Sequence, residues 1–321
     1  FARRHLNVAI VEPFMPALFD NSQDPDGRVS AISLASETFL QKMGAWQHVL
    51  AMRCLPYRRL SVWETESGKT TFDSRDSGFA HMGHMVENRI LQLALHTELK
   101  RLSNVQWFET SQLLDEATGE IKLDELVCCA NLIIAADGAN SSIRQQASIG
   151  TQGWQYSQSV LSVTVKCAAS DAYSNTADMT WQAFHSTGPR AFLPMYDRYA
   201  SLIWYDSPHR VKSLKNLSNN DLKTEIKTHF PESLPDFEIV STAAFPLARM
   251  HAQQYVKGKL VLVGDAAHTI NPLAGQGVNL GFKDAEVLIH NLCDLLTTLN
   301  QHGETADDQA LNDALQRYQR S

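Results

Sequence analysis

Apolar residues follow three spacings along this chain, and each spacing predicts a different element. Short continuous runs closed by a polar turn predict buried parallel strands: Leu132-Ile133-Ile134 ahead of Asp137-Gly138, and Leu260-Val261-Leu262-Val263 ahead of Gly264-Asp265. A three-to-four spacing in Leu91, Leu95 and Leu99, and again in Leu288, Leu292, Leu295 and Leu299, predicts amphipathic helices that open near Asn88 and just after Gly277. Strict alternation in Leu161, Val163 and Val165 places one apolar face on a strand and leaves the other face to meet a ligand or solvent.

These signals are not evenly mixed. Strand and helix signals alternate over residues 1–56 and 86–153, whereas residues 154–246 are rich in alternating and aromatic segments such as "SVLSVTVKC", "TWQAF", "RAFLPM" and "YASLIWYD". Gly188-Pro189 and Asp197-Arg198 mark turns between them. The expected fold class is therefore α/β. A doubly wound, Rossmann-like domain takes residues 1–56, 86–153 and 247–321, and an inserted β-sheet domain takes residues 57–85 and 154–246.

Composition narrows the functions this fold could serve. With 321 residues the chain can bury one large or two modest cores. A formal charge of −7 and no long Lys/Arg run argue against nucleic acid as a partner. Five cysteines, none in a CxxC spacing, fit a reducing compartment. Cys128 and Cys129 are adjacent, which leaves a redox role open beside a structural one. No metal site is expected, because His81 and His84 stand three apart without a carboxylate or third ligand at matching spacing. No run of 18 apolar residues exists to span a bilayer, and peripheral attachment stays open.

The densest chemistry lies in "GDAAHTINPLAGQGVNLG", from Gly264 to Gly281. Gly264 permits a sharp turn at the carboxyl end of a buried strand, where α/β sheets bind their ligands, and Asp265 stands at that turn. Gly275 and Gly277 flank Gln276 just before a helix, so uncovered amides suited to a phosphate or an electron-rich ring edge point from the helix start. In "NLIIAADGANSSIR" a strand turns at Asp137-Gly138 into a helix opened by Ser141. "HLNVAIVE" reads as the second strand of a dinucleotide-binding unit, ending in Glu12, an acid placed to accept from a ribose hydroxyl.

Together these segments resemble the FAD-dependent aromatic hydroxylases of the para-hydroxybenzoate hydroxylase type, in their ubiquinone-biosynthesis branch. That resemblance implies FAD as cofactor, with NAD(P)H or another electron donor. It further implies that Arg28 reaches the adenosine-diphosphate part, Asn88 the ribityl and phosphate region, and that the Asp137 turn serves both FAD and pyridine nucleotide. Asp265 would bind ribityl hydroxyls, Pro272 would lie near the reactive edge of the ring, and Val278 and Asn279 would offer backbone groups to its pyrimidine end. Asn88 stands where relatives carry Arg or Gln, and a solvated loop arginine is the lesser reading of Arg28. His268 can be read as a base or as structural. No residue is assigned as the catalyst, since the flavin carries the chemistry. Arg190, Trp204 and Tyr205 are candidates for orienting the substrate.

One departure stands out. The GxGxxG loop expected about 20 residues before Glu12 has no room after Phe1, so the chain is expected to continue upstream. Relatives also continue with helices past "ALQRYQRS". Four stretches outside the cofactor motifs, "AMRCLPYRRLSVWE", "GWQYSQS", "GPRAFLPM" and "WYDSP", look most like the members that hydroxylate demethoxyubiquinol. The implied reaction passes one oxygen atom of dioxygen, through a flavin hydroperoxide, to the ring of a polyprenylated benzoquinol. A sister hydroxylase acting at another ring position, another flavin reaction in the same fold, and a flavin subunit without oxygenase activity are the alternatives. The implied setting is cytoplasmic, with a place at the periphery of the inner membrane or in a lipid-associated multiprotein assembly left open.

Overall fold

An eight-stranded sheet dominates the fold, seen in a computed structural model that describes residues 1–4, 6–271, 275, 277–302 and 308–320. Its order is His268–Thr269, Phe237–Ala252, Thr151–Cys167, Tyr199–Asp206, Arg190–Pro194, Met179–Ala183, Arg59–Trp63 and Thr70–Asp73. Neighbours run antiparallel except Met179–Ala183 beside Arg59–Trp63.

Register decides what each face of this sheet does. Leu161 pairs with Trp204, and Trp204 with Arg190, so their side chains share a face. On that face Leu161, Val163, Val165, Trp181, Phe192 and Trp204 pack against Val211, Leu214, Leu222 and Ile226 of two helices, Pro208–Lys215 and Asn219–His229. The first of these starts where it does because Ser207 caps it, accepting from Arg210 N, with Pro208 pre-set at the first position. Residues one step out of phase, Gln182, Ala191, Ile203 and Tyr205, turn to the opposite face. The alternation read from the sequence thus corresponds to a helix-covered face and a second face left for the site.

The strands of the Rossmann-like part form separate pieces. Val8–Val11 runs parallel to Val105–Phe108, and Ile133–Ala135 runs parallel to Leu260–Leu262, with Val256–Lys257 antiparallel on the far side. No hydrogen-bonded strand among the described residues joins the two pairs into one sheet. The run read as a buried strand over Leu132–Ile134 needs correction, since the strand is Ile133–Ala135 and Ile134 is 39% exposed. As an edge strand it has a neighbour on one side only, and the face carrying Ile134 is open.

Two long strands tie the parts together. Thr151–Cys167 and Phe237–Ala252 pair from Thr151 with Ala252 to Cys167 with Phe237, crossing the boundaries read near residues 153 and 246, with register shifts after Gln155 and Thr164. A further sheet, Val29–Ser33, Gly83–Glu87 and Leu55–Tyr57, lies under the helices Leu34–Lys42, Trp46–Met52 and Asn88–Leu99. Ile32, Leu40, Trp46, Val49, Val86 and Ile90 form its core, and Val278 and Phe282 of the helix Gly277–His302 pack onto it.

Gly83 sits where that sheet is tightly packed. A Cβ there would stand 2.2 Å from the Ile32 carbonyl oxygen and 3.0 Å from the Tyr57 ring, so backbone would have to give way. Gly83→Ala is expected to destabilise the protein by about 1–3 kcal/mol or more, read as a melting temperature lowered by several degrees; an unchanged melting temperature would show that the strands can separate at little cost.

Candidate functional site

The two turns picked out in the sequence come together because their strands are neighbours. Ile133–Ala135 and Leu260–Leu262 are parallel, so the turns at Asp137 and Asp265 leave from the same, carboxyl end. Arg144 locks them to each other: buried on the short helix Ser142–Gln146, it donates to Ala266 O at 2.7 Å and to Ala139 O at 2.8 Å. Ser141 caps that helix as expected, accepting from Arg144 N. Asp137 also acts locally, its Oδ2 accepting from Ile143 N at 3.2 Å and Ser142 Oγ at 3.3 Å.

Gly264 has φ +58, which suits glycine, and it lies beside Gly281 of the helix Gly277–His302, where a Cβ on either would meet the other's Cα at 3.4–3.7 Å. Asp284, one turn further along the helix, accepts from Gly264 N at 2.8 Å and meets His268 Nε2 at 2.6 Å. Burial opposes the imidazolium, but the Asp284 hydrogen bond and charge, with Asp265 adding to them, outweigh it and leave the His268 pKa raised. The histidine is thereby tied to the turn as an ion-pair partner, which fits the structural reading of it. Nothing in "GDAAH" announces Asp284, because no local rule pairs residues 16 apart.

Asp265 is exposed on its turn. Partial desolvation raises its carboxyl pKa, against the pull of His268 and Arg28. Arg28 is exposed and lies within electrostatic reach of Asp265 although 237 residues separate them. Gly275 follows at φ +66, its Cα packed so closely on Val29–Ser33 that a Cβ would stand 3.1 Å from Ala31 N. Gly277 opens the long helix, and a Cβ added there would meet nothing within 4 Å, so there is free space at the helix start, where the first amides have no intrahelical partner. Asn279 is buried and its side chain spans the strand, donating to Ala31 O at 2.8 Å and accepting from Ser33 N at 2.9 Å. Its amide group is thus committed to the fold, and only its backbone is left to face a ligand. Val278 packs in the core beneath. Pro272 lies outside the described residues.

Asn88 and Glu12 are linked to this group through one helix. Asn88 N donates to Arg28 O at 2.9 Å and its Oδ1 accepts from Ser30 Oγ at 2.6 Å. Glu12, at the end of Val8–Val11, accepts from Phe14 N and from Gln92 Nε2, both at 3.1 Å. A carboxylate and a guanidinium flank an open helix start, and glycines keep its approach clear. That donor set fits a group carrying hydroxyls, phosphates and a flat ring.

A small apolar cavity of about 80 Å³ opens beside Gly275 and Ala31 on the helix-free face of the large sheet. Leu60, Met85, Leu193 and Ile203 line it, with Tyr57, Tyr205, Gln182 and Thr180 among its polar residues. Tyr205 donates to Asn271 Oδ1 at 3.4 Å, and burial pushes its pKa up to about 12. Tyr57 is raised by burial too. Of the three orienting candidates only Tyr205 reaches this cavity. Arg190 and Trp204 are one residue out of phase and lie on the helix-covered face, the guanidinium carbon 4.6 Å above the indole ring. Arg190 borders a larger cavity of about 460 Å³ there, remote from the glycine turn. Tyr57 and Gln182 carried no sequence signal, since register alone brings them to the pocket.

Comparison with known proteins identifies the family and the fold. A family model described as an FAD binding domain matches residues 81–317. The chain is 44% identical to the 3-demethoxyubiquinol 3-hydroxylase of Escherichia coli (strain K12), covering 99% of this chain and 80% of the relative. It is 32% identical to the mitochondrial ubiquinone biosynthesis monooxygenase COQ6 of Rattus norvegicus, covering 92% and 72%. In structure it is similar to P. aeruginosa PqsL in complex with 2-aminobenzoylacetate, with a TM-score of 0.78 at 19% identity over 99% of this chain and 85% of that one.

The His268–Asp284 pair makes stability depend on pH. The folded pKa of His268 stands above the ordinary 6.5, so the pair stabilises fully below about pH 6.5 and less as pH rises through the folded value. Asp284→Asn is expected to lower unfolding free energy by about 1–3 kcal/mol and to flatten that decline; urea titrations between about pH 5.5 and 8.5 giving parallel curves for both proteins would contradict the assignment.

Proposed function

The chain belongs to the FAD-dependent aromatic-ring hydroxylases, in the branch that serves ubiquinone biosynthesis, and on that footing we propose that it hydroxylates the ring of a polyprenylated benzoquinol, demethoxyubiquinol. One observation carries the reading: Gly275, just ahead of the glycine-opened helix, lines an apolar pocket whose walls include two tyrosines. FAD, when bound, supplies the redox chemistry, taking electrons from NAD(P)H or another donor and activating dioxygen.

The protein's own residues divide the remaining work. Asp265 accepts from ribityl hydroxyls, Arg28 counters phosphate charge, and the amides at Gly277, Val278 and Asn279 face the electron-rich edge of the ring. Glu12, Asn88, the Asp137 turn, Pro272 and Gly275 complete the cofactor set. Leu60, Met85, Leu193 and Ile203 hold the quinol ring and exclude water. Tyr57 and Tyr205 stay protonated at neutral pH, so Tyr57 can donate to one ring oxygen while Tyr205, donating to Asn271, accepts from a ring hydroxyl. Such bonds fix which carbon is presented. Residues 57–85 and 154–246 act as the substrate part and the rest as the cofactor part. No described helix is long and apolar enough to cross a membrane, and a lipid-tailed quinol favours work at the membrane periphery or within an assembly that delivers it.

Quinone mass spectrometry in cells lacking this gene provides the main test, with complementation by the full-length protein or its Asp265→Ala form. Demethoxyubiquinone should accumulate and be cleared only by the unmodified protein. A different accumulating precursor would favour a sister hydroxylase acting at another ring position, and an unchanged quinone pool would overturn the substrate class. In the purified enzyme, Tyr57→Phe and Tyr205→Phe should each cut kcat/KM for the quinol about tenfold with FAD content unchanged; full activity in both would remove them from the substrate contact.

A further inference from the structure

Away from the flavin pocket, on the other side of the strand that carries Met85, three side chains that can bind a metal converge. Glu37 Oε2 lies 2.8 Å from His81 Nε2 and 3.1 Å from His84 Nδ1. All three ligand atoms are within 4.8 Å of one another. The carboxylate absent near the two histidines in sequence is supplied from 44 residues upstream, by the helix Leu34–Lys42.

Spacing and ring geometry match a small cation. Ligands about 2.0–2.1 Å from a tetrahedral zinc ion stand about 3.3 Å apart, so the two Glu37–histidine separations need to open by about half an ångström or less. The two imidazoles meet edge to face, centroids 4.4 Å apart and planes at 72°, and a nitrogen of each lies within hydrogen-bond reach of the same Glu37 oxygen. Their partners fix the rings: His84 packs edge-on against Trp46 at 5.0 Å, and Glu37 Oε1 accepts from Gln41 Nε2 at 3.2 Å. Outer contacts of this kind orient metal ligands.

Charge gives the second argument. Glu37 is 8% exposed, and among the described residues no Lys or Arg forms an ion pair with it; only the two histidines do. A carboxylate this buried carries a desolvation cost, and its ion-pair partners among the described residues are two imidazoles that can also act as metal ligands. A divalent cation removes that cost while using both imidazoles in the neutral form that ligation requires. Glu37 and His84 side chains are 11% and 8% exposed, whereas His81 is 21% exposed, so the cluster opens to solvent on the His81 side.

We propose that Glu37, His81 and His84 form a zinc site, with His81 through Nε2, His84 through Nδ1 and Glu37 through one oxygen, the fourth position being taken by water. The ion would tie the loop before Gly83 to the helix Leu34–Lys42, which follows the strand bearing Ala31. Its role is therefore to hold two walls of the pocket at a fixed separation, independently of the reaction carried out there.

The test uses full-length, FAD-loaded protein stripped with a chelator and titrated with zinc chloride against a competing dye. One zinc per chain is expected at this site, with affinity at least about tenfold lower in His81→Ala and Glu37→Gln. His81 is the most exposed ligand, so its removal should leave folding and FAD content intact, and visible absorbance checks both. Zinc should also raise the melting temperature of the unmodified protein and not that of His81→Ala. Absence of saturable zinc uptake would overturn the proposal. So would unchanged stoichiometry and affinity in both variants, which would mean that zinc binds elsewhere on the surface.

Discussion

A single buried amide holds the site together. Asn279 bonds to Ala31 O and Ser33 N, joining the glycine-opened helix to a strand almost 250 positions earlier in the chain. Each bond is worth about 1 kcal/mol net, but leaving either backbone group unsatisfied in this buried place would cost about 1–3 kcal/mol. Because Val278 and Phe282 also pack into the core beneath Val29–Ser33, the helix start cannot swing away from that strand. Gly275 then meets Ala31 at a distance and a φ that suit glycine, and Arg28 at the head of the strand comes within reach of Asp265.

The loop ahead of Arg28 is pinned by a second long-range device. Arg53 and Glu87 form a buried ion pair at 2.7 Å, with Arg53 also donating to Gln23 O at 2.8 Å and Glu87 accepting from Asp26 N at 2.6 Å. Such a pair is a fastening more than a source of stability, since desolvation offsets most of its attraction. Tyr199 extends the fastening to the large sheet by donating to Asp24 Oδ1 at 2.7 Å. The loop that carries Arg28 is therefore registered against both the sheet that holds Glu87 and the large sheet that holds Tyr199.

Arg190 illustrates how one strand serves two purposes. Its guanidinium donates to the carbonyl oxygens of Gly188 and Tyr205 at 2.8 and 2.6 Å, and burial lowers its pKa to about 10 against the pull of Asp206. These bonds close the turn at Gly188, whose φ of +125 suits glycine, and so set the position of Tyr205 on the facing side. The arginine shapes the pocket from behind without entering it.

Elements were legible wherever a single segment contained its own cause. The parallel strand ending at Gly264-Asp265, the Ser141 cap, the turns at Gly188 and Asp197, and the two-faced strand through Leu161, Val163 and Val165 all follow from local spacing and turn chemistry, and the cofactor motifs identified the family. What the sequence by itself determined was therefore the class of fold, the flavin chemistry and the family to which both belong. Tertiary structure alone decided that Asp284 would hold the His268 turn, that the Asn279 side chain would serve the fold, that Tyr57 and Tyr205 would share a pocket with Arg190 and Trp204 behind it, and that Glu37 would meet His81 and His84. Each of these depends on strand register or helix crossing between distant segments, where a shift of one residue exchanges the two faces, and such contacts leave no periodicity in a single chain to be read.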